Sequence, residues 1–581
     1  MSNKELSHIF QEIGTLLEIQ GENSFKCRAY LNAARTIESC PEDLRTLAAE
    51  DRLRELPGIG EALQEKITQW VKNGSLPYYD ELKSSLPSGI LDLLRIPGLG
   101  PKKVGALYHE LQIGSLEKLE AACHDGSIAG LDGFGEKAVA KILAGIGQVK
   151  SYSNLHLYGD VILLAEELVD TLRQHPAVTR VALAGSLRRG KEIVKDLDLV
   201  ASSKKPAEVM RDFTTLDRVA RVVNHGETKS SVLLQGGIAC DLRVVEDSQF
   251  ACALHHFTGS KEHNVALRQR ALSKGLHLNE YGLAEDNAKS KASSPTLRVC
   301  RSEEELFSQL GLDTIPPELR EGLGEIEAAE QHKLPRLVEW TQLRGCFHNH
   351  TTASDGDNSL EEMAGAAAML GLEYLGIADH SKSSVQANGL SSERLLKQVS
   401  EIRNYNKTQN DIHLFAGVEC DILKDGSLDY EDDILSQLDY TVASVHSAFT
   451  LDEDEMTRRI IRAIENPHVT MLGHLTGRLL LKREPYKVNI PKIIDAAAHT
   501  GTWIELNANP LRLDMDWRYW KAARDKGVKC VINPDAHAVS QLGYLKLGVQ
   551  IARKGWLTAD HVINCLALRD VKKQLLAKRK R

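Results

Sequence analysis

At 581 residues the chain is too long for one core, so three or more domains are expected. Hydrophobic residues at 42% and charged residues at 26% are ordinary for a soluble protein, and no apolar run nears the roughly 18 residues of a membrane span, which excludes a membrane protein. The formal net charge of −8 excludes binding to nucleic acid through overall charge and leaves that task to local basic patches. One such patch is Lys578-Arg579-Lys580-Arg581, which reads first as a solvated terminus. The N-terminus lacks a signal-peptide pattern, and the ten cysteines include no CxxC pair. Reduced thiols, a cytoplasmic location and a monomer are expected.

Residues 1–80 read as helices, from the spacing of Ile9, Ile13, Leu16 and Leu17 and then the stretch 29–37. Leu56-Pro57-Gly58-Ile59-Gly60 is a tight turn before a helix. It recurs as Ile96-Pro97-Gly98-Leu99-Gly100 and more weakly as Leu131-Asp132-Gly133-Phe134-Gly135. Gly58, Gly60, Gly98 and Gly100 permit hairpins whose backbone N–H groups, at a helix N-terminus, can receive a phosphate. The repeat resembles the helix-hairpin-helix motif, which holds a nucleic-acid backbone without reading its sequence.

Residues 151–245 alternate helix and strand. A short apolar run, 181–184, leads into Gly185-Ser186, then Arg188-Arg189, then a second apolar run, 194–200, that contains Asp196-Leu197-Asp198. On a strand, i and i+2 share a face, so Asp196 and Asp198 lie side by side while Leu197 and Leu199 face the core. Adjacent carboxylates repel and are costly to bury unless cations hold them, and hard cations such as Mg²⁺ prefer oxygen ligands and substrate phosphates. The Gly-Ser turn offers N–H groups to phosphate, and the arginines add charge-assisted contacts.

This stretch resembles the nucleotidyltransferase signature of family X DNA polymerases. The resemblance implies a third carboxylate on a neighbouring strand, supplied by Asp241 in the run 237–245. It extends to His256-Phe257-Thr258-Gly259-Ser260, Asn264, Arg268 and Asn279-Glu280-Tyr281, the nucleotide-contacting thumb region. By that resemblance Asp196 and Asp198 hold two metals, Asp241 joins them on the metal nearer the primer 3′-OH, and Gly185, Ser186 and Arg189 bind the triphosphate. Phe257, Gly259, Asn264 and Arg268 contact the nucleotide. Lys66 stands where lyase-active members carry a Schiff-base lysine, and Lys26 falls near a phosphate-binding lysine; a plain phosphate contact and lyase chemistry both stay open. His256 stands where many eukaryotic relatives have tyrosine, which leaves ribonucleotide discrimination open.

Beyond a Glu-rich stretch read as a linker, short strands again alternate with helices, as in an α/β barrel. The expected strands end near Phe347, Ile377, Val418, Ala443, Leu472, Leu506 and Ile532. Most are followed by a metal-type ligand: His348, His350 and Asp355; His380; Glu419; His446; His474; Asp535 and His537. In barrels the C-terminal strand ends line the active site. The run HNHTTASDG, then ADH, VEC, VHS, GHLTGR and PDAH resembles the PHP phosphoesterase family, which implies a distorted (βα)7 barrel holding up to three metals. Mixed imidazole and carboxylate ligands suit Zn²⁺, Mn²⁺ or Fe²⁺ better than Mg²⁺.

The two resemblances in this order are those of bacterial family X DNA polymerases with a C-terminal PHP domain. They imply a helical helix-hairpin-helix region (1–80 lyase-like, 81–150 fingers-like), an α+β nucleotidyltransferase palm (151–245) and thumb (246–315), a linker (316–340) and a PHP domain (341–581). The expected function is gap filling in DNA repair with Mg²⁺ and dNTPs on gapped or primer-template DNA. The PHP domain adds a 3′-5′ exonuclease using Mn²⁺ or Zn²⁺, and cleavage at abasic sites stays open. The rival readings are a small-molecule phosphatase tethered to a DNA-binding module and a non-catalytic DNA-binding scaffold. The repeated hairpins argue against the first and the intact ligand sets against the second.

Overall fold

The computed structural model describes residues 3–38, 40, 42–285, 297–409 and 411–578; the basic residues Arg579, Lys580 and Arg581 lie outside them. The chain divides into two compact units, Met1–Ser153 and Asn154–Arg581.

The first unit is helical. Leu6, Phe10, Ile13, Leu16 and Leu17 form the buried stripe of the helix Asn3–Ile19. All three Gly-rich turns adopt one conformation. Gly58, Gly98 and Gly133 take φ of +77°, +88° and +81°, a region open to glycine at no steric cost. Gly60, Gly100 and Gly135 then cap the helices Glu61–Asn73, Pro101–Leu111 and Glu136–Tyr152. The buried residue between each glycine pair, Ile59, Leu99 or Phe134, anchors the hairpin to the core. The weak third copy is thus a full structural repeat.

The second unit starts with a five-stranded sheet: β1 (Val178–Leu183), β2 (Asp196–Ser203), β3 (Val219–His225), β4 (Lys229–Leu234) and β5 (Ala239–Val245). Their order is β1-β2-β5-β4-β3, and only β2 and β5 run parallel. Leu197, Leu199 and Ala201 alternate onto the face covered by the helices Tyr158–Arg173 and Pro206–Thr214. Val200 faces the other way, against Phe250, Ala253 and Leu254 of the next helix. A small α/β lobe follows, built on Leu267, Leu283, Phe307 and Leu310.

The stretch 316–340, expected to be a linker, is folded onto that lobe. Leu319, Ile326 and Ala329 enter its core, and Arg320 and Glu325 are each only 1% exposed. Their charges are paired: Arg320 with Glu303, and Glu325 with His263 at 2.8 Å. Composition alone suggested a solvated segment because pairing across long sequence separations is invisible to it.

The rest is a parallel barrel: β6 (Gly345–Cys346), β7 (Tyr374–Ile377), β8 (His413–Ala416), β9 (Glu419–Asp421), β10 (Val442–Ser444), β11 (Met471–Leu472), β12 (Trp503–Asn507) and β13 (Cys530–Asn533). β8 and β9 are one stave broken at Gly417-Val418, so the barrel has seven staves. It closes where the His350 N–H donates to the Ala536 carbonyl at 2.8 Å. Phe347, Tyr374, Phe415, Tyr440 and Trp503 fill its lower half. Gly376 and Gly417 leave the room that the Tyr440 ring takes, since a Cβ on Gly417 would lie 2.3 Å from it. The single proton of the Tyr440 hydroxyl is shared between the carbonyls of Phe347 and Ile377, and the latter also accepts from the Gly417 N–H at 2.9 Å.

Tyr440→Phe should therefore destabilise the barrel by about 1–3 kcal/mol, because the Phe347 carbonyl loses its buried side-chain donor. An earlier unfolding transition in a thermal melt is the expected reading; an unchanged melt would contradict it.

Candidate active sites

The palm sheet gathers the three aspartates. Asp198 on β2 stands directly opposite Asp241 on β5, and Asp196 is two residues back on the same face. Burial, then Asp196 and Asp241, push the Asp198 carboxyl up to about 6. Three carboxylates at one spot, one of them resisting ionisation, form a ready oxygen site for cations. Lys229 on β4 approaches Asp241 at 2.8 Å, a neighbour that sequence reading missed.

The Gly-Ser turn presses on this group. Gly185 has φ +62°, and a Cβ there would fall 2.1 Å from Asp198 Oδ2. The Ala184 N–H donates to the Asp198 carbonyl at 2.8 Å, which fixes the turn to the strand. Arg189 does not reach into open space: its Nε donates to Glu321 at 2.9 Å and its Nη1 to the Thr258 carbonyl. Phe257 lies under the Arg243 guanidinium, 4.2 Å from ring centre to Cζ. Gly259 abuts Arg189 Nη1. Asn264 is turned inward and donates to the His256 carbonyl at 2.8 Å, while Arg268, one turn on, is exposed.

In the first unit the space beside Gly58, Gly60, Gly98 and Gly100 is open: a Cβ there meets nothing within 4 Å. A phosphate backbone can approach these turns closely. Lys66 Nζ lies 4.8 Å from the Tyr78 ring centre, and Lys26 pairs with Glu22 at 3.2 Å.

At the barrel mouth the nine residues read as ligands converge. Three groups each bring their ligand atoms within 4.8 Å of one another: His350, Asp355, His380 and His537; His348, His350 and Asp535; His380, Glu419 and His446. His474 joins through Nε2, 2.8 Å from Glu419 and 3.3 Å from His446 Nε2. Glu419 is the hub, within 4 Å of His348, His350, His380, His446 and His474. Burial opposes its charge, but His446, His348 and His380 hold its carboxyl well below the usual range. Burial, with His537 and His380 alongside, lowers His350 to about 3, so that ring is a neutral donor. Nε2 of His348 and both nitrogens of His350 are buried without a hydrogen-bond partner. Orphaned ring nitrogens beside carboxylates are costly unless cations take them up, so the donor set fits divalent metals.

Sequence reading missed the groups that hold these ligands. Glu505, wholly buried, accepts from His348 Nδ1 and from the His474 N–H, both at 2.7 Å. It comes from β12, whose end carries no metal-type ligand in sequence. Asp421 takes His446 Nδ1 at 2.6 Å, and Asp379 braces the loop after His350 by taking the Thr351 N–H and hydroxyl. Asp535 has φ +52°, a rare conformation for a residue with a side chain, as sites under functional constraint show. The cleft above, about 480 Å³, is flanked by Arg483, Arg512 and Phe449. Arg483 lies over the Phe449 ring, and Phe449 stacks on Tyr486.

A carboxylate triad beside a phosphate-type turn, and a histidine-rich cluster at a barrel mouth, define a nucleotidyltransferase joined to a metal-dependent phosphoesterase. Family models match in the same order: a helix-hairpin-helix domain over 1–76, a SAM-like helix-hairpin-helix tandem over 90–147, the DNA polymerase beta thumb over 253–321 and the PHP domain over 347–509. The DNA polymerase/3′-5′ exonuclease PolX of Bacillus subtilis (strain 168) is 38% identical over 98% of this chain and 99% of its own. A probable phosphatase of Thermoanaerobacter sp. (strain X514) is 28% identical over 37% of this chain and 88% of its own. DNA polymerase lambda of Rattus norvegicus is 25% identical over 54% of this chain and 56% of its own. The chain belongs to the bacterial family X DNA polymerases that carry a C-terminal PHP domain.

Gly185→Ala should abolish nucleotide addition while leaving the barrel's chemistry intact, since its methyl would displace Asp198; extension near the unmutated rate would refute this packing. Glu505→Gln should weaken metal binding by about 10–100-fold, as measured by titrating Mn²⁺ into metal-stripped protein. Unchanged affinity would remove Glu505 from the site.

Proposed function

We propose that the chain is a DNA-directed DNA polymerase that fills short gaps and carries a separate 3′-5′ exonuclease in its barrel. The observation that carries this is the pairing, in one chain, of Asp198 opposite Asp241 on the palm sheet with the nine-residue cluster at the barrel mouth.

In the polymerase half, Asp196 and Asp198 hold two Mg²⁺ ions, and Asp241 orients the primer 3′ end. Ser186, Gly185 and Arg189 receive the triphosphate of the incoming dNTP. Phe257, Gly259 and Arg268 form the wall for its sugar and base, backed by Asn264, which holds the His256 carbonyl. The hairpins at Gly58, Gly60, Gly98 and Gly100 hold the DNA backbone, with Lys26 and Lys66 as basic contacts beside them. The Lys66 ammonium packs against the Tyr78 ring.

In the barrel, His348, His350, Asp355, His380, Glu419, His446, His474, Asp535 and His537 hold up to three ions of the Mn²⁺ or Zn²⁺ type. Such ions supply an activated water and a charge clamp for a phosphodiester. Arg483 and Arg512 face the same cleft and suit the phosphate of a 3′-terminal nucleotide. Phe449 offers a face for its base. The aromatic wall favours a nucleotide over a small phosphate ester, the substrate class of the tethered-phosphatase reading.

The test is a crossed pair of variants. Asp198→Ala should abolish extension of a gapped primer and leave 3′ digestion within about threefold. His350→Ala should lower metal content and digestion at least tenfold, with gap filling kept, since a tenfold rate loss needs only ~1.4 kcal/mol. Loss of both activities in either variant would contradict two independent sites.

A further inference from the structure

The loop that carries Arg189 is fastened to the outside of the PHP barrel. Glu192 accepts from Trp517 Nε1 at 3.0 Å and from Arg518 at 3.3 Å. Gly190, at φ +67°, packs where a Cβ would lie 2.7 Å from the Gln550 amide. Beneath Arg189 sits Lys554, the last residue of the barrel helix Leu545–Lys554, with a side chain that is 0% exposed. Its ammonium lies against the Trp517 ring and donates to the Arg189 carbonyl at 2.9 Å and to Glu321 Oε1 at 2.5 Å. That same oxygen accepts from Arg189 Nε at 2.9 Å. Glu321 is itself buried, so it cannot rely on water for a partner. One carboxylate oxygen is therefore shared between a cation of the polymerase loop and a cation of the nuclease domain.

From this sharing we infer that Lys554 is a positioning residue for the polymerase reaction, supplied by the PHP domain: it neutralises Glu321 and so frees Arg189 for the triphosphate. The inference rests on the polymerase reading of the palm site. With Lys554 present, Arg189 can leave Glu321 without stranding a buried carboxylate. Without it, Glu321 has Arg189 as its close partner, with Lys191 3.9 Å from its other oxygen, and Arg189 is held back from phosphate. The barrel thus helps to set dNTP affinity in the palm although its own metal cluster takes no part.

The experiment compares Lys554→Met and Lys554→Met/Glu321→Gln with the full unmutated chain in steady-state gap filling. Charge-assisted hydrogen bonds of this kind are worth enough for about a tenfold change. Lys554→Met should raise the KM for dNTP about tenfold with kcat nearly unchanged, and leave Mn²⁺-dependent 3′ digestion as it was. Adding Glu321→Gln removes the competitor for Arg189 and should restore KM to within about threefold, which a purely structural role for Lys554 does not predict. An unchanged KM in Lys554→Met would overturn the inference. So would a raised KM that Glu321→Gln fails to lower, or an equal fall in both activities. If the unmutated chain extends no primer, the polymerase reading falls, and this inference with it.

Discussion

Charges crowded together with little access to water are the constraint on which the second unit depends. In the palm, parallel pairing of β2 with β5 sets Asp198 against Asp241, with Asp196 alongside, and burial makes the repulsion worse. In the barrel, Glu419 and Asp535 are buried among six histidines, and each ring is held by a carboxylate, a backbone group or a stacked neighbour. Both donor sets fit cations. The surrounding folds supply the rigidity: a glycine turn pressed on Asp198 in one case, an aromatic floor beneath the histidines in the other.

The two sites differ in chemistry for reasons that follow from their scaffolds. An open sheet places side chains on one face at regular spacing, which suits a short row of carboxylates for Mg²⁺ and a polyphosphate. A closed barrel points the ends of seven staves at one axis, which gathers many donors of mixed type. Imidazoles then dominate, a donor set that fits softer ions. The loop 189–192 joins the two halves, since Arg189 is held by Glu321 and Lys554 while Glu192 accepts from Trp517 and Arg518 of the barrel.

Much of the fold was legible because periodicity reports it directly. The alternation of Asp196, Leu197, Asp198 and Leu199 is the alternation of β2, and the barrel's stave ends fall close to where apolar runs stop. The weak third hairpin was legible only as part of a repeat. What escaped were single residues whose meaning lies in a distant partner. Glu505 reads as an interruption of an apolar run until His348 is seen to donate to it. Lys229 and Lys554 are ordinary lysines in sequence, and the Glu-rich stretch at 316–340 looked solvated because its pairing with Glu303, His263 and Arg553 spans many residues. Arg189 was assigned to phosphate from its motif, yet its side chain lies in the grip of Glu321.

Two donor sets of different composition in one chain should respond to different metals. Titrating Mg²⁺ and Mn²⁺ separately into a single metal-stripped preparation, and following gap filling and 3′ digestion in parallel, tests this most directly. Mg²⁺ should restore extension and leave digestion weak, while Mn²⁺ should drive digestion far better than Mg²⁺ at any concentration. Digestion that runs as well on Mg²⁺ alone as on Mn²⁺ would contradict the account.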